Sequence, residues 1–86
     1  MEKYILVNLF RYEKKDFKGD DKYTFMAELY LSDGKHSGDL MKLFIDEETY
    51  EYLSVMVPFY SDITDLIKIR YNTYSKKYQA VIYIEN

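Results

Sequence analysis

The chain has 86 residues, no cysteine, one proline, three glycines, a net charge of −3 and 48% hydrophobic residues. That is the length of one domain, 1–86, with apolar surface enough to offset the entropy of ordering, so a disordered chain is excluded. Without thiols there is no disulfide or thiolate metal site, and no apolar run approaches the roughly 18 residues that span a bilayer, so a cytoplasmic protein with no membrane role is expected.

Tyr4 to Tyr12 alternates Tyr4, Leu6, Asn8, Phe10 and Tyr12 with Ile5, Val7, Leu9 and Arg11, a pattern that predicts a first strand buried over most of both faces. The apolar stretch within Met1 to Asn8 is too short and too soon interrupted for a signal peptide. Residues 13–22 are polar and carry a Gly19-Asp20-Asp21 turn signal, so the chain reverses there. Tyr23 to Leu31 returns as the second strand. It sets Tyr23, Phe25, Ala27, Leu29 and Leu31 on one side and Thr24, Met26, Glu28 and Tyr30 on the other. Ser32 to Gly38 is the strongest turn, with Asp33-Gly34 supplying the positive-φ position, and Asp39 to Ile45 is the third strand.

The period then changes. Asp46 is a capping residue, Glu47-Glu48-Thr49 an acidic first turn, and Tyr50, Leu53 and Met56 or Val57 recur at helical spacing toward Pro58, which predicts one helix over 47–57. Ile63 is the expected anchor of the segment leading out. The chain ends in two alternating runs, Leu66 to Ile84, about a Ser75-Lys76-Lys77 turn; they hold Lys68, Arg70, Lys76 and Lys77 and four tyrosines without an acid. Ile67 and Ile69, with Leu6 and Leu43, are expected in the core. Phe10, Phe25, Phe44 and Phe59 are assigned there too.

Charge divides by segment: residues 1–38 sum to 0, 39–65 to −6 and 66–84 to +4, with Glu85 completing −3. The basic hairpin is thus able to face an anionic partner while the acidic middle turns away. The order β-β-β-α-β-β is that of an all-β, five-stranded antiparallel barrel with one short helix, the oligonucleotide/oligosaccharide-binding (OB) type. A half-open roll closed by a second chain and a ferredoxin-like fold are the rivals, and the latter requires a second helix of comparable length.

Catalysis finds little support. The single histidine, His36, sits in the turn beside Ser37 and Asp39, too close in sequence for these to face one another as a triad, and reads as a solvated turn residue. The acid pairs lack metal-ligand spacing and there is no glycine-rich phosphate loop, so a non-catalytic protein without metal or cofactor is expected. The aromatic content is the unusual quantity: 11 tyrosines and 5 phenylalanines, more rings than one small interior holds. Exposed tyrosine among cations is how sequence-tolerant single-strand binders stack bases while lysine and arginine hold phosphates. Lys68, Arg70, Asn72 and Tyr74 alternate onto one face of the fourth strand, opposite Ile67, Ile69, Tyr71 and Thr73, and Tyr30 and Arg11 extend that platform.

In strand order, length, basic and tyrosine content of Leu66 to Tyr83 and acidic helix, the chain resembles the small OB-fold single-stranded-DNA-binding proteins of phages and plasmids. The resemblance implies a homodimer or cooperative coating of a replication intermediate through Arg11, Tyr30, Lys68, Arg70, Tyr74, Lys76 and Lys77, with single-stranded DNA as the favoured partner. The competing expectation is an interaction module, an adaptor or inhibitor that docks a replication or host protein with the same tyrosine-rich face.

Overall fold

In a computed structural model that describes residues 1–82, the chain forms strands β1 (Lys3–Lys15), β2 (Asp21–Ser32) and β3 (Leu40–Ile45), helix α1 (Glu47–Met56), and strands β4 (Ile67–Asn72) and β5 (Lys77–Ile82). Tyr83 and Ile84 of the terminal run lie outside the described residues. The elements fall in the predicted order and nearly at the predicted bounds. No helix among the described residues is long and apolar enough to cross a membrane.

Alternation and turn chemistry account for the strands. The β1–β2 turn is built on Asp16, whose Oδ1 accepts the N–H groups of Lys18 and Asp20, with Gly19 at φ +83°. Between β4 and β5, Asn72 Oδ1 accepts the N–H groups of Tyr74 and Ser75, an Asx turn completed by Lys76 at φ +58°. Asp46 caps α1 by accepting the Thr49 N–H at 2.7 Å, which satisfies one of the helix's free donors.

The five strands form one mixed sheet, ordered β1-β2-β3-β5-β4. Two features depart from the expected five-stranded antiparallel, partly open barrel. First, β3 and β5 run parallel, joined through Phe44 and Gln79. Second, the sheet is open, with β1 and β4 at its edges. The chain leaving α1 does return to β1: Tyr60 N–H bonds Leu6 O, Leu6 N–H bonds Ser61 O, Ile63 N–H bonds Tyr4 O, and Ile5 bridges Asp62. A turn closed by Leu66 N–H to Ile63 O then carries the chain off β1 before β4 starts, so β4 pairs with β5 alone. Because β4 lies at the far edge, the hairpin that follows brings β5 up beside β3 in the same direction.

One face of this sheet is the core. Leu6, Ala27, Leu29, Leu43, Ile45, Ile67 and Ala80 point to it and meet Leu53 of α1 and Ile63. Tyr50 of the helix packs its ring 4.9 Å from Phe25. The expected burial of Leu6, Leu43, Ile63 and Ile67 holds, and Ile69 is partly buried against the same cluster. Of the four phenylalanines assigned to the core only Phe25 packs there; Phe59 is 51% exposed.

Phe10 departs for a specific reason. The β1–β2 register shifts by one residue between Leu6 and Asn8, a β-bulge at Val7. A one-residue insertion exchanges the two faces beyond it. Tyr4 and Leu6 therefore point to the core before the bulge and Leu9 does so after it, while Phe10 and Tyr12 turn to the opposite face, stacked at 6.0 Å.

Candidate functional site

The face of the sheet away from α1 is built by alternation. Residues directly opposite one another in paired strands share a face, and the registers place Phe10, Met26, Phe44, Gln79 and Arg70 in one row across all five strands. A flanking row holds Asn8, Glu28 and Lys42 on β1 to β3, with Lys77 and Asn72 two residues from Gln79 and Arg70 on the same side. Lys68 stands two residues from Arg70 in the other direction. Among the described residues no helix covers this face, because α1 is spent on the other.

Two rings of the central row each carry an ammonium group. Lys42 Nζ lies 4.5 Å from the Phe10 centroid and Lys77 Nζ lies 4.5 Å from the Phe44 centroid. Such contacts are worth about 0.5–1 kcal/mol at exposed sites. They hold the lysines over the face without neutralising them. Among the described residues Lys42, Lys68, Arg70 and Lys77 have no acidic partner at ion-pair distance, the two pairs formed being Lys3–Asp33 and His36–Asp39. Glu28 is the one acid among the described strand residues of this face. Glu47, Glu48 and Glu51 ride on the exposed side of α1, across the sheet. Lys68, Arg70 and Lys77 of the basic hairpin thus lie on the face of the sheet away from the helix carboxylates.

The structure brings together part of the expected set. Lys68, Arg70 and Lys77 share the outer face, and Tyr30 lies on it opposite Ile5 and Leu40. Tyr74, 98% exposed, and Lys76 stand at the tip of the β4–β5 hairpin. Arg11 falls elsewhere: past the bulge it belongs to the core-side face, where its guanidinium covers the Tyr23 ring at 5.1 Å. Tyr71, assigned to the core side, is 51% exposed and packs 5.0 Å from Tyr78.

Lys42, Phe44 and Phe10 are absent from the expected platform, whereas Met26 shares the side of β2 that alternation gives to Tyr30. For Lys42 and Phe44 the signal is present in the alternation of Leu40, Lys42 and Phe44 with Met41, Leu43 and Ile45. Beside Phe44 a cleft opens where β3 and β5 diverge, lined by Phe44, Ile45, Asp46, Gln79, Ala80 and Val81. The arrangement offers flat apolar rings, unpaired cations and amide groups on one open surface among the described residues. No protein-family model, curated protein or solved structure matches the chain.

Proposed function

We propose that the protein binds single-stranded nucleic acid, DNA in preference, on the outer face of its sheet. The observation that carries this reading is the pair of lysine-capped rings, Lys42 on Phe10 and Lys77 on Phe44, set in a face where Arg70 and Lys68 add charge. A polyanion reaching this surface draws each ammonium to a phosphate and frees a ring face for a base. The exchange is favourable because the cation–π contact given up is worth about 0.5–1 kcal/mol, whereas a stacked base returns about 1–3 kcal/mol. Tyr74 and Lys76 at the hairpin tip extend the track, and Gln79 supplies amide groups for base edges.

The finer reading of the fold is a partly open barrel of the OB type. It is supported by the hydrogen bonds that bring Tyr60 to Ile63 back to β1. Duplex fits this surface less well, since its bases are not free to stack on rings.

Fluorescence anisotropy of labelled, unstructured poly-pyrimidine and mixed oligonucleotides at two salt concentrations tests the reading. With Lys42, Lys68, Arg70, Lys76 and Lys77 all engaged, the dependence of log K on log salt should have a slope of roughly −3 to −4, at about 0.7 per phosphate contact. Absence of binding to either oligonucleotide at low salt would end it.

A further inference from the structure

We propose that the C-terminal end of α1 and the segment leaving it, Val55 to Tyr60, dock a segment of another protein that presents an apolar side chain flanked by lysines or arginines. Val55 and Tyr60 are more than three-quarters exposed, at 78% and 77%, and Met56 and Phe59 are exposed beside them in sequence. The helix is anchored without them, through Thr49, Leu53 and Tyr50. A run of bare apolar residues of this kind marks a contact surface, and methionine and aromatic side chains are enriched at the centres of protein interfaces.

Charge specifies the partner. From residue 43 to 67 the chain has no lysine, arginine or histidine. Glu51 and Glu48 stand one and two helical turns before Val55, on its side of α1. The last turn of the helix holds no basic residue, so the negative end of its dipole is uncompensated where the apolar side chains are bare. A cation beside an apolar anchor would meet those carboxylates and the terminal carbonyls together. A second copy in a two-fold arrangement would instead set Glu48 and Glu51 against themselves, which like-charge repulsion opposes.

The backbone at Tyr60 is held in an uncommon conformation. Tyr60 has φ +70°, uncommon for a bulky residue, and is held there by its N–H bond to Leu6 O at 2.6 Å. The Cα–Cβ bond is thereby fixed, and the side chain stands 77% exposed. Val55 and Met56 lie on α1, across the sheet from Lys42, Phe44 and Arg70, and the inference does not rest on the nucleic-acid reading.

The experiment is anisotropy of a labelled amphipathic leucine–lysine peptide titrated with the full chain, with a leucine–glutamate peptide as control. The lysine peptide should bind, and Met56→Ser with Phe59→Ser, or Glu48→Gln with Glu51→Gln, should weaken it about tenfold or more. Circular dichroism confirms that each variant is folded, and Val55→Ser replaces the double variant if that one is not. Equal binding by the apolar variants would reduce the effect to general charge attraction and overturn the proposal. So would equal binding of the glutamate peptide, or sedimentation showing self-association that Met56→Ser abolishes, which would assign the surface to a second copy.

Discussion

Lys77 on β5 sets its ammonium 4.5 Å from the ring centroid of Phe44 on β3, so the one parallel junction of the sheet carries a cation and a ring in contact on its open face. The two side chains should separate by their salt behaviour. Lys77→Gln should lower the salt slope of oligonucleotide binding by about 0.7, one phosphate contact. Phe44→Leu keeps an apolar side chain without the aromatic face and should cost about 1–3 kcal/mol of binding with the slope unchanged. Titrations at several salt concentrations read both, and a Phe44→Leu variant that binds like the parent would remove Phe44 from the interface.

Tyr74 makes a cleaner probe, because its side chain is almost wholly in solvent and the turn beneath it is held by Asn72 rather than by the ring. Tyr74→Ala should leave the urea midpoint within the roughly 0.5 kcal/mol scatter of surface substitutions. The same variant should weaken single-strand binding with little change in slope. A loss of stability without a loss of affinity would make the ring structural.

Core truncation should behave differently. Leu43 is fully buried, in the middle of β3 between the helix and the other strands, and Leu43→Ala should cost about 2–5 kcal/mol in urea unfolding. Phe17→Ser, at a tip 94% exposed, should cost little by the same measurement. A small effect of Leu43→Ala would place the core elsewhere.

How far the sequence could be read depended on whether the rule in force was local. Strands β2 and β3 keep strict alternation, so Ala27, Leu29, Leu43 and Ile45 were identifiable as inward, and the turn at Asp33-Gly34 and the cap at Asp46 are signals carried by the residues themselves. The outward direction of Lys68 and Arg70 was legible for the same reason. Alternation alone puts Phe10 and Arg11 on the wrong faces, because one residue, Val7, is inserted against β2, and a bulge depends on the partner strand. The polar Asn8 amid apolar neighbours was its only local trace. The parallel contact of Phe44 with Gln79 had no local signal, since which strand β5 lies beside is decided by where the chain after α1 is tied. That tie, at Tyr60 to Ile63, is made by backbone hydrogen bonds that any sequence can form.

Gly34 is fixed by two constraints at once. Its φ is +93°, and a Cβ there would lie 2.6 Å from Glu2 Cγ and 3.0 Å from the Glu2 nitrogen. Gly19 shares the positive φ but has open space around it. Gly19→Ala should therefore cost about 1 kcal/mol from backbone strain alone. Gly34→Ala should cost more, because the Glu2 backbone has to move and Glu2 also accepts the His36 N–H. Equal costs in thermal or urea unfolding would mean that the first residues yield freely.

The tie between β1 and the chain before β4 should respond to acid. Asp62 accepts hydrogen bonds from the hydroxyl and the N–H of Thr64, and the same hydroxyl oxygen accepts the Tyr4 N–H at 2.9 Å. The Thr64 hydroxyl bond first, then its backbone bond, hold the Asp62 carboxyl below its usual 3.8, with Lys3 adding to the effect. A folded-state pKa below the unfolded one means that the contribution is complete above the unfolded value and is lost as pH falls through the folded one. The stability gap between the parent and Asp62→Asn should accordingly stay constant from neutral pH down to about 5 and then close. Thr64→Val removes the hydroxyl that serves both partners. Carboxyl NMR should find Asp62 titrating closer to 3.8 in that variant, and an Asp62 that titrates alike in parent and variant would break the link between Thr64 and the carboxylate.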